Sequence, residues 1–409
     1  LSIKALAAEV SMGYIKRAAP HLCMVLRGML FIGFSIQIIL GICWMCCNFG
    51  RAQGFGRPDS ALYGGLIGFF GDRTAIIYSM QLAVAFFAGF LFLQGLHPVS
   101  AGLAVWRGLA LLTVPFAMQC HLSLQPYSLM GSCFMLLLLA LLKIRRKRAA
   151  VFLLAAALWG TLYVGLCGAA DPDRLKAPGH SLEGALASRF AWPTLWNDFG
   201  GYDEELRTIL QPVAWEASLC PDNFGLLQER LEGQVGEQAA KECYLQMAKV
   251  GWDRHASGVI HQIGWDVLGY AAIPAIFPLQ MEGKGYDSYS GRNYEIMREN
   301  APILTGAYVD YGCWWFVWML ALSALLYLFR MLGEGGEARG KRIACSLAIC
   351  LLASGIQIAA LTMRGAGRMD YRETIAVNAL WLMGPLLLVG GNRPKGRARP
   401  EDTGGQKGR

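Results

Sequence analysis

Apolar runs long enough to cross a membrane recur along the chain and are separated by short polar stretches. A helix rises 1.5 Å per residue, so about 20 apolar residues cross the roughly 30 Å hydrocarbon layer. The pattern predicts spans at residues 28–48, 76–96, 101–118, 128–142, 149–167, 308–330, 343–363 and 375–391. We therefore expect an all-α fold class: a polytopic helical membrane protein with about eight transmembrane helices and an extracytoplasmic helical and loop insertion.

The insertion is the one long polar segment, and it divides the chain. Its charges, prolines and tryptophans are too dense for a bilayer core, whereas the whole chain is 55% hydrophobic and 16% charged, against about 25% charged in a soluble domain. The predicted parts are a cytoplasmic lead-in (1–27), spans one to five (28–167), an extracytoplasmic cap segment (168–307), spans six to eight (308–391) and a disordered basic cytoplasmic tail (392–409).

The distribution of Lys and Arg predicts which side of the membrane each loop occupies. Twenty lie in the two ends of the chain, in the even-numbered loops or at the span ends next to those loops (Arg107 and Arg330), against six in the short odd-numbered loops. Because cytoplasmic loops are the basic ones, we expect both termini in the cytoplasm and the cap segment outside, in a multi-pass protein of the cell membrane. The net charge of +8 reflects this bias and does not indicate a nucleic-acid partner.

Helical patterns occur inside the cap segment and in the first outer loop. Glu229 to Met247 has the apolar spacing of a soluble amphipathic helix, and Tyr202 to Leu210 is a second, weaker helix. Ala256 to Met281 is apolar, but it contains His261, Asp266 and two prolines, so we expect a helix lying on the outer leaflet. In the first loop, Ser60 to Phe70 predicts a short surface helix that starts at Asp59 or Ser60.

Ionisable residues gather near the outer ends of the spans, and two groups carry a resemblance. Asp59 precedes the short apolar helix that contains Tyr63, and Arg364, Arg368 and Arg372 lie in a later outer loop. This layout resembles the GT-C class of integral membrane glycosyltransferases, which use polyprenyl-phosphate sugars. The resemblance implies Asp59 as the catalytic base with Tyr63 beside it, and the three arginines around the lipid phosphate. Asp59 is followed by Ser60, where that class has a second acidic residue.

Transfer of a sugar from a lipid phosphate requires a base and positive charge in any protein. A carboxylate takes the proton of the acceptor while the sugar–phosphate bond breaks, and cations stabilise the departing phosphate. The planar fork of Arg matches phosphate oxygens. A divalent metal ion held by carboxylates is an optional source of the same positive charge.

Further candidate residues lie in the cap segment. Asp171, Asp173, Asp198 and Arg292 are secondary candidates for contacts to the acceptor. The run Tyr286 to Tyr294 mixes aromatic and polar side chains, which is typical of sugar-binding surfaces and equally of turns. His255 and His261 are six positions apart, so we interpret them as structural. Cys220 and Cys243 can pair if the segment faces an oxidising compartment.

Several functions are excluded for lack of their motifs, and three remain open. The chain contains no Gly-x-Ser-x-Gly, no His-Glu-x-x-His and no Walker lysine loop. Our preferred hypothesis is transfer of a sugar from a lipid-linked donor to an envelope acceptor. The alternatives are a non-enzymatic membrane protein whose outer segment binds a partner or a polysaccharide, and a transporter of lipid or polysaccharide.

Overall fold

The architecture is helical throughout the part of the chain that can be described. The computed structural model describes residues 3–50, 60–71, 73–124, 126–144, 148–166, 182–191, 199–219, 224–271, 296–333 and 382–389, together with 348, 349, 352 and 355. Every regular element in these residues is a helix and none is a strand, which confirms the all-α prediction.

The helices are named here in chain order. They are α1 (Ile3–Asn48), α2 (Ala61–Phe70), α3 (Thr74–Leu96), α4 (Ala101–Leu112), α5 (Pro115–His121), α6 (Tyr127–Leu142), α7 (Ala149–Leu166), α8 (Leu182–Phe190), α9 (Glu204–Leu219), α10 (Phe224–Val235), α11 (Glu237–Ala271), α12 (Pro302–Thr305), α13 (Gly312–Gly333) and α14 (Met383–Val389). A π-helical turn, Gly306–Asp310, joins α12 to α13.

Within the described ranges, three helices are long and apolar enough to cross a membrane. They are Ala18–Asn48 of α1, all of α3 and all of α7, with mean hydropathies of 2.2, 2.1 and 2.0. Only 11% of the α7 segment is buried inside the protein, which is compatible with a lipid bilayer around it. These helices cover the spans predicted at 28–48, 76–96 and 149–167. The span predicted at 128–142 is the shorter apolar helix α6 (Tyr127–Leu142). The 308–330 prediction covers the end of the π-helical turn and most of α13, which contains the apolar stretch Val317–Phe329. The spans predicted at 343–363 and 375–391 lie mostly outside the described residues.

The span predicted at 101–118 is not one continuous helix. The helix ends at Leu112, Val114 is extended with ψ 127°, and α5 starts at Pro115. Proline has no backbone N–H and disfavours a helical conformation in the residue before it, which explains the interruption. The carbonyl oxygens that lack a helical partner near the break accept hydrogen bonds from a side chain instead. Gln37 Nε2 donates to Ala110 O and Thr113 O, each at 3.0 Å.

The largest hydrophobic cluster joins α1, α3, α4, α6, α13 and α14. Leu30, Phe34 and Phe92 are fully buried in it. Gly33 allows close packing of α1 on α13, because a Cβ atom there would lie 2.0 Å from Met319 Cε. At the far end of α3, the buried Arg107 donates to His97 O at 3.3 Å and to Leu387 O at 3.4 Å. It therefore ties α4 to the ends of α3 and α14 instead of facing solvent.

The described part of the cap segment has a hydrophobic cluster of its own. Residues of α8 to α11 form it, with Leu210, Leu231 and Tyr244 fully buried. The helix expected over Tyr202–Leu210 is confirmed as α9, which begins at Glu204. The single helix expected over Glu229–Met247 is wrong, because Gly236 has φ +78° and separates α10 from α11.

The apolar run expected to form a separate surface helix is the second half of α11. His255 has φ −131° and ψ 32°, a non-helical conformation that kinks α11 between its two halves. The helix then continues to Ala271, and the remainder of the Ala256–Met281 prediction lies outside the described residues. Val259 is buried while Ile260 is 58% exposed, so this half presents one side to the protein.

Candidate functional site

The start of α2 is fixed against the end of α7. Ser60 is the N-cap residue of α2, and its hydroxyl accepts a hydrogen bond from the Tyr63 N–H at 3.2 Å. The same hydroxyl donates to the carbonyl oxygen of Gly165 at 2.8 Å. Of the two starting residues expected from the sequence, Ser60 is therefore the cap. Asp59 directly precedes it in the sequence.

Side-chain packing also attaches α2 to α7. Tyr63 shares a hydrophobic cluster with Leu129 and Met130 at the start of α6 and with Leu166 at the end of α7. A Cβ atom on Gly165 would lie 3.1 Å from Leu62 Cδ2, so only a glycine lets α2 approach this closely without adjustment. The first turn of α2 thus lies where α7 ends and the cap segment begins in the sequence.

Tyr63 is buried and hydrogen-bonded to α3. Its side chain has no exposed surface, and its hydroxyl oxygen accepts a hydrogen bond from Gln81 Nε2 at 3.0 Å. This bond joins α2 to α3. The predicted contact of Tyr63 with substrate remains a prediction, and the geometry gives the residue a positioning role for the start of α2.

The turn between α5 and α6 contains a polar pair that the sequence did not reveal. His121 Nδ1 lies 2.7 Å from Ser128 Oγ, and both side chains are buried. Ser132 Oγ donates to Ser128 O one turn further along α6, at 2.9 Å. Residues 121 and 128 lie on opposite sides of a tight turn, so the pair holds the end of α5 against the first turn of α6.

The C-terminal end of the cap segment packs beside the C-terminal end of α1. Trp44 Nε1 donates to Thr305 Oγ1 at 3.0 Å, and Asn300 Nδ2 donates to Cys47 O at 2.7 Å. The π-helical turn follows at once and contains Asp310, which is half-buried. Single π-helical turns are frequent at functional sites. The C-terminal end of the cap segment is therefore tied to α1 by hydrogen bonds.

Most of the predicted site residues lie outside the described residues. They are Asp59, Asp171, Asp173, Asp198, Arg292, Arg364, Arg368 and Arg372. Their assignments as base, phosphate contacts and acceptor contacts remain predictions. Among the positions that are described, no group of three or more His, Cys, Asp or Glu side chains is arranged to hold a metal ion.

The described cap helices are held by local polar contacts. The Asp203 carboxylate accepts from Gln246 Nε2 and from the Leu206 N–H, each at 3.1 Å, and these two bonds lower its pKa. Burial raises the pKa of Tyr244, whose hydroxyl donates to Glu232 Oε1 at 2.9 Å. Cys243 is a free thiol, and Cys220, with which it can pair if the segment faces an oxidising compartment, lies outside the described residues.

Comparison with known proteins adds no further constraint. No protein family model, no curated protein and no solved structure matches the chain. Any function must therefore be argued from the residues and contacts described above.

Proposed function

We propose that the protein is an integral membrane glycosyltransferase that moves a sugar from a polyprenyl-phosphate donor to an envelope acceptor. The proposal includes a multi-pass topology of about eight spans in the cell membrane, with both termini in the cytoplasm. Asp59 is the base that takes the acceptor proton. Arg364, Arg368 and Arg372 bind the phosphate of the donor and stabilise it as it departs.

The attachment of α2 is the observation that carries the proposal. A catalytic base must be held within hydrogen-bond reach of the group it deprotonates. Asp59 is followed by a residue that is 1% exposed, caps α2 and donates to Gly165 O. The chain next to Asp59 is therefore fixed at the boundary between an apolar helix and the polar cap segment. A lipid-linked sugar and a polar acceptor can meet at such a boundary.

A resident metal ion is optional in this mechanism. The three arginines supply positive charge in a form that matches phosphate oxygens in pairs. A carboxylate-bound divalent ion would add to that charge if Asp59 or the secondary acidic residues Asp171, Asp173 and Asp198 held one. The proton leaves the acceptor hydroxyl to the Asp59 carboxylate as the new glycosidic bond forms.

The test is sugar transfer by the purified protein reconstituted in liposomes. A panel of radiolabelled polyprenyl-phosphate sugars is supplied with extracts of envelope polysaccharide as acceptor. We expect transfer from at least one donor, and loss of that transfer in Asp59→Asn of roughly 100-fold or more, the contribution typical of a general base. Asp253→Asn, a carboxylate change on an exposed residue of α11, serves as the control and should leave transfer unchanged.

Two results contradict the proposal. If no donor in the panel supports transfer by a folded wild-type protein, the enzymatic function is wrong and the binding alternative takes its place. If transfer occurs and Asp59→Asn retains it, Asp59 is not the base. Size-exclusion profiles of all variants establish that the proteins compared are folded.

A further inference from the structure

Three cysteines lie on one side of the last two turns of α1. Cys43, Cys46 and Cys47 are free thiols with exposed side chains. They are three and four positions apart, so they share one face of the helix. The opposite face is buried and contains Trp44 and Asn48. None of the three cysteines has a role in the proposed sugar transfer.

The buried face attaches this end of α1 to the chain that leads into α13. Trp44 Nε1 donates to Thr305 Oγ1 at 3.0 Å, and Asn300 Nδ2 donates to Cys47 O at 2.7 Å and to Asn48 Oδ1 at 3.3 Å. Cys47 O is one of the last four carbonyl oxygens of α1, which have no partner within the helix. The Asn300 bond therefore depends on the shape of the turn that carries the exposed thiols.

Cys43 and Cys46 have the spacing of a disulfide-forming pair. Positions i and i+3 of an α-helix have Cα atoms about 5 Å apart, within the range of roughly 4.4–6.8 Å found in disulfides. Their Cβ atoms are about 5–6 Å apart, whereas a disulfide needs about 3.5–4.5 Å. The turn must therefore tighten for the sulfurs to meet. Helix ends tighten readily into a 3₁₀ turn, in which side chains at i and i+3 are eclipsed.

Metal binding does not explain the three thiols. Structural zinc sites use four ligands. Within the described ranges, no group of three or more His, Cys, Asp or Glu side chains is arranged to hold a metal ion. Exposed thiols at this spacing on a helix end favour thiol–disulfide exchange instead.

We propose that Cys43 and Cys46 form a redox switch, which closes into an intrahelical disulfide and loosens the attachment at Asn300. The oxidant is a small disulfide such as oxidised glutathione. The thiolate of one cysteine attacks a glutathione sulfur, the glutathione S–S bond breaks, and one glutathione thiolate leaves. The thiolate of the other cysteine attacks the mixed disulfide and releases the second glutathione. The two cysteine protons pass through water to the two glutathione thiolates, so one disulfide is reduced as the other forms.

Closing the disulfide displaces the acceptor of the Asn300 bond. A tightened turn at Cys43–Cys46 rotates the next residue relative to the buried face, so Cys47 O moves away from Asn300 Nδ2. Loss of one hydrogen bond of about 1 kcal/mol raises the population of the detached segment roughly fivefold. Asn300 precedes α12 and the π-helical turn, so the oxidation state of α1 affects the chain that enters α13. This switch is independent of sugar transfer.

Peptide mapping of the purified full-length protein tests the disulfide. The protein is equilibrated with oxidised glutathione, its free thiols are alkylated, and its peptides are analysed by mass spectrometry. We expect a disulfide within the α1 peptide of the wild type and of Cys47→Ser, the matched control for a neighbouring exposed thiol. We expect none in Cys43→Ser or Cys46→Ser. A disulfide that persists in Cys46→Ser, or glutathione adducts on the three thiols without a disulfide, overturns the proposal.

Hydrogen exchange tests the effect on the attached segment. We expect the amides of Met297 to Thr305 to exchange roughly fivefold faster in the oxidised wild type than in the reduced protein, the factor for one hydrogen bond. Cys46→Ser should show no such difference, and Asn300→Ala should show the faster exchange without oxidant. Equal exchange in the two oxidation states of the wild type overturns the switch.

Discussion

The Ser60 hydroxyl donates a 2.8 Å hydrogen bond to the carbonyl oxygen of Gly165, across 105 positions of sequence. It also accepts the Tyr63 N–H, so one hydroxyl both caps α2 and attaches it to α7. The side chain is 1% exposed, which shields both bonds from competing water. The position of the chain beside Asp59 depends on this relationship.

Removing the Ser60 hydroxyl should lower the stability of the protein measurably. We expect Ser60→Ala to lower the free energy of unfolding by about 0.5–2 kcal/mol, the range for loss of an N-cap. Thermal unfolding in detergent measures the change. Ser100→Ala is the matched control, because Ser100 precedes α4 without making a side-chain capping bond. Equal destabilisation by the two substitutions would show that the Ser60 hydroxyl has no special role.

The close approach of Leu62 to Gly165 gives a second prediction. Gly165→Val places a branched side chain where even a Cβ lies 3.1 Å from Leu62 Cδ2, so the Leu62 side chain or α2 must move to make room. We expect a loss of about 1–3 kcal/mol, as for overpacking. In Gly160→Val the nearest atom, Leu137 Cδ1, lies 3.9 Å from the added Cβ, and a smaller loss is expected. Thermal unfolding compares the two, and a larger loss at Gly160 would contradict the packing described here.

Gly236 should resist substitution while its neighbour accepts it. Gly236 has φ +78° and separates α10 from α11, and a residue with a Cβ atom costs about 1–2 kcal/mol in that conformation. Gly236→Ala should therefore lower stability. Gly233→Ala lies within α10 with open space around the added Cβ, and it should raise stability by up to about 1 kcal/mol. Opposite signs in thermal unfolding are the expected outcome, and a stabilising Gly236→Ala would be inconsistent with the turn.

The Asp203 carboxylate should make the stability of the cap helices depend on pH. Its pKa is lowered first by the Gln246 side chain and then by the Leu206 N–H. A lowered pKa in the folded state means that the contribution is present above the unfolded pKa of about 4 and is lost as pH falls through the folded pKa. The stability gap between wild type and Asp203→Asn should therefore be widest near pH 7 and close as pH falls below about 4.

Thermal unfolding of both proteins across that pH range measures this gap. Asp253→Asn on α11 is the control, since Asp253 is an exposed carboxylate outside the Asp203 contacts. A gap for Asp203→Asn that stays constant with pH would rule out a role for the ionised carboxylate.

Local sequence signals predicted local structure well. The apolar run from Ser60 to Phe70 predicted α2 and narrowed its N-cap to Asp59 or Ser60, and the long apolar runs predicted α1, α3 and α7. Two residues in the sequence mark helix ends that the predicted helices ran through. Pro115 marks the break in the third predicted span, and Gly236 marks the end of α10, although the apolar helical pattern continues past it.

Contacts between distant positions could not be predicted from one sequence. The bonds from Ser60 to Gly165, from Trp44 to Thr305 and from Gln37 to Ala110 each need the folded arrangement of helices. Composition shows that such polar side chains exist, but it does not show which carbonyl they reach. The pair of His121 and Ser128 was missed for a related reason, because the two residues approach only through the turn between α5 and α6.

The proximity of Asp59 to the arginine loop tests the proposed site most directly. In a variant whose twelve native cysteines are replaced, Asp59→Cys and Arg368→Cys are introduced together and treated in membranes with a short bifunctional thiol reagent. The pair Asp59→Cys and Lys143→Cys is the control. Tyr63 of α2 packs against the start of α6, whereas Lys143 directly follows the opposite end of that helix. Cross-linking of the first pair and not of the control is the expected result, whereas failure of the first pair to cross-link when both thiols react singly would contradict a shared site.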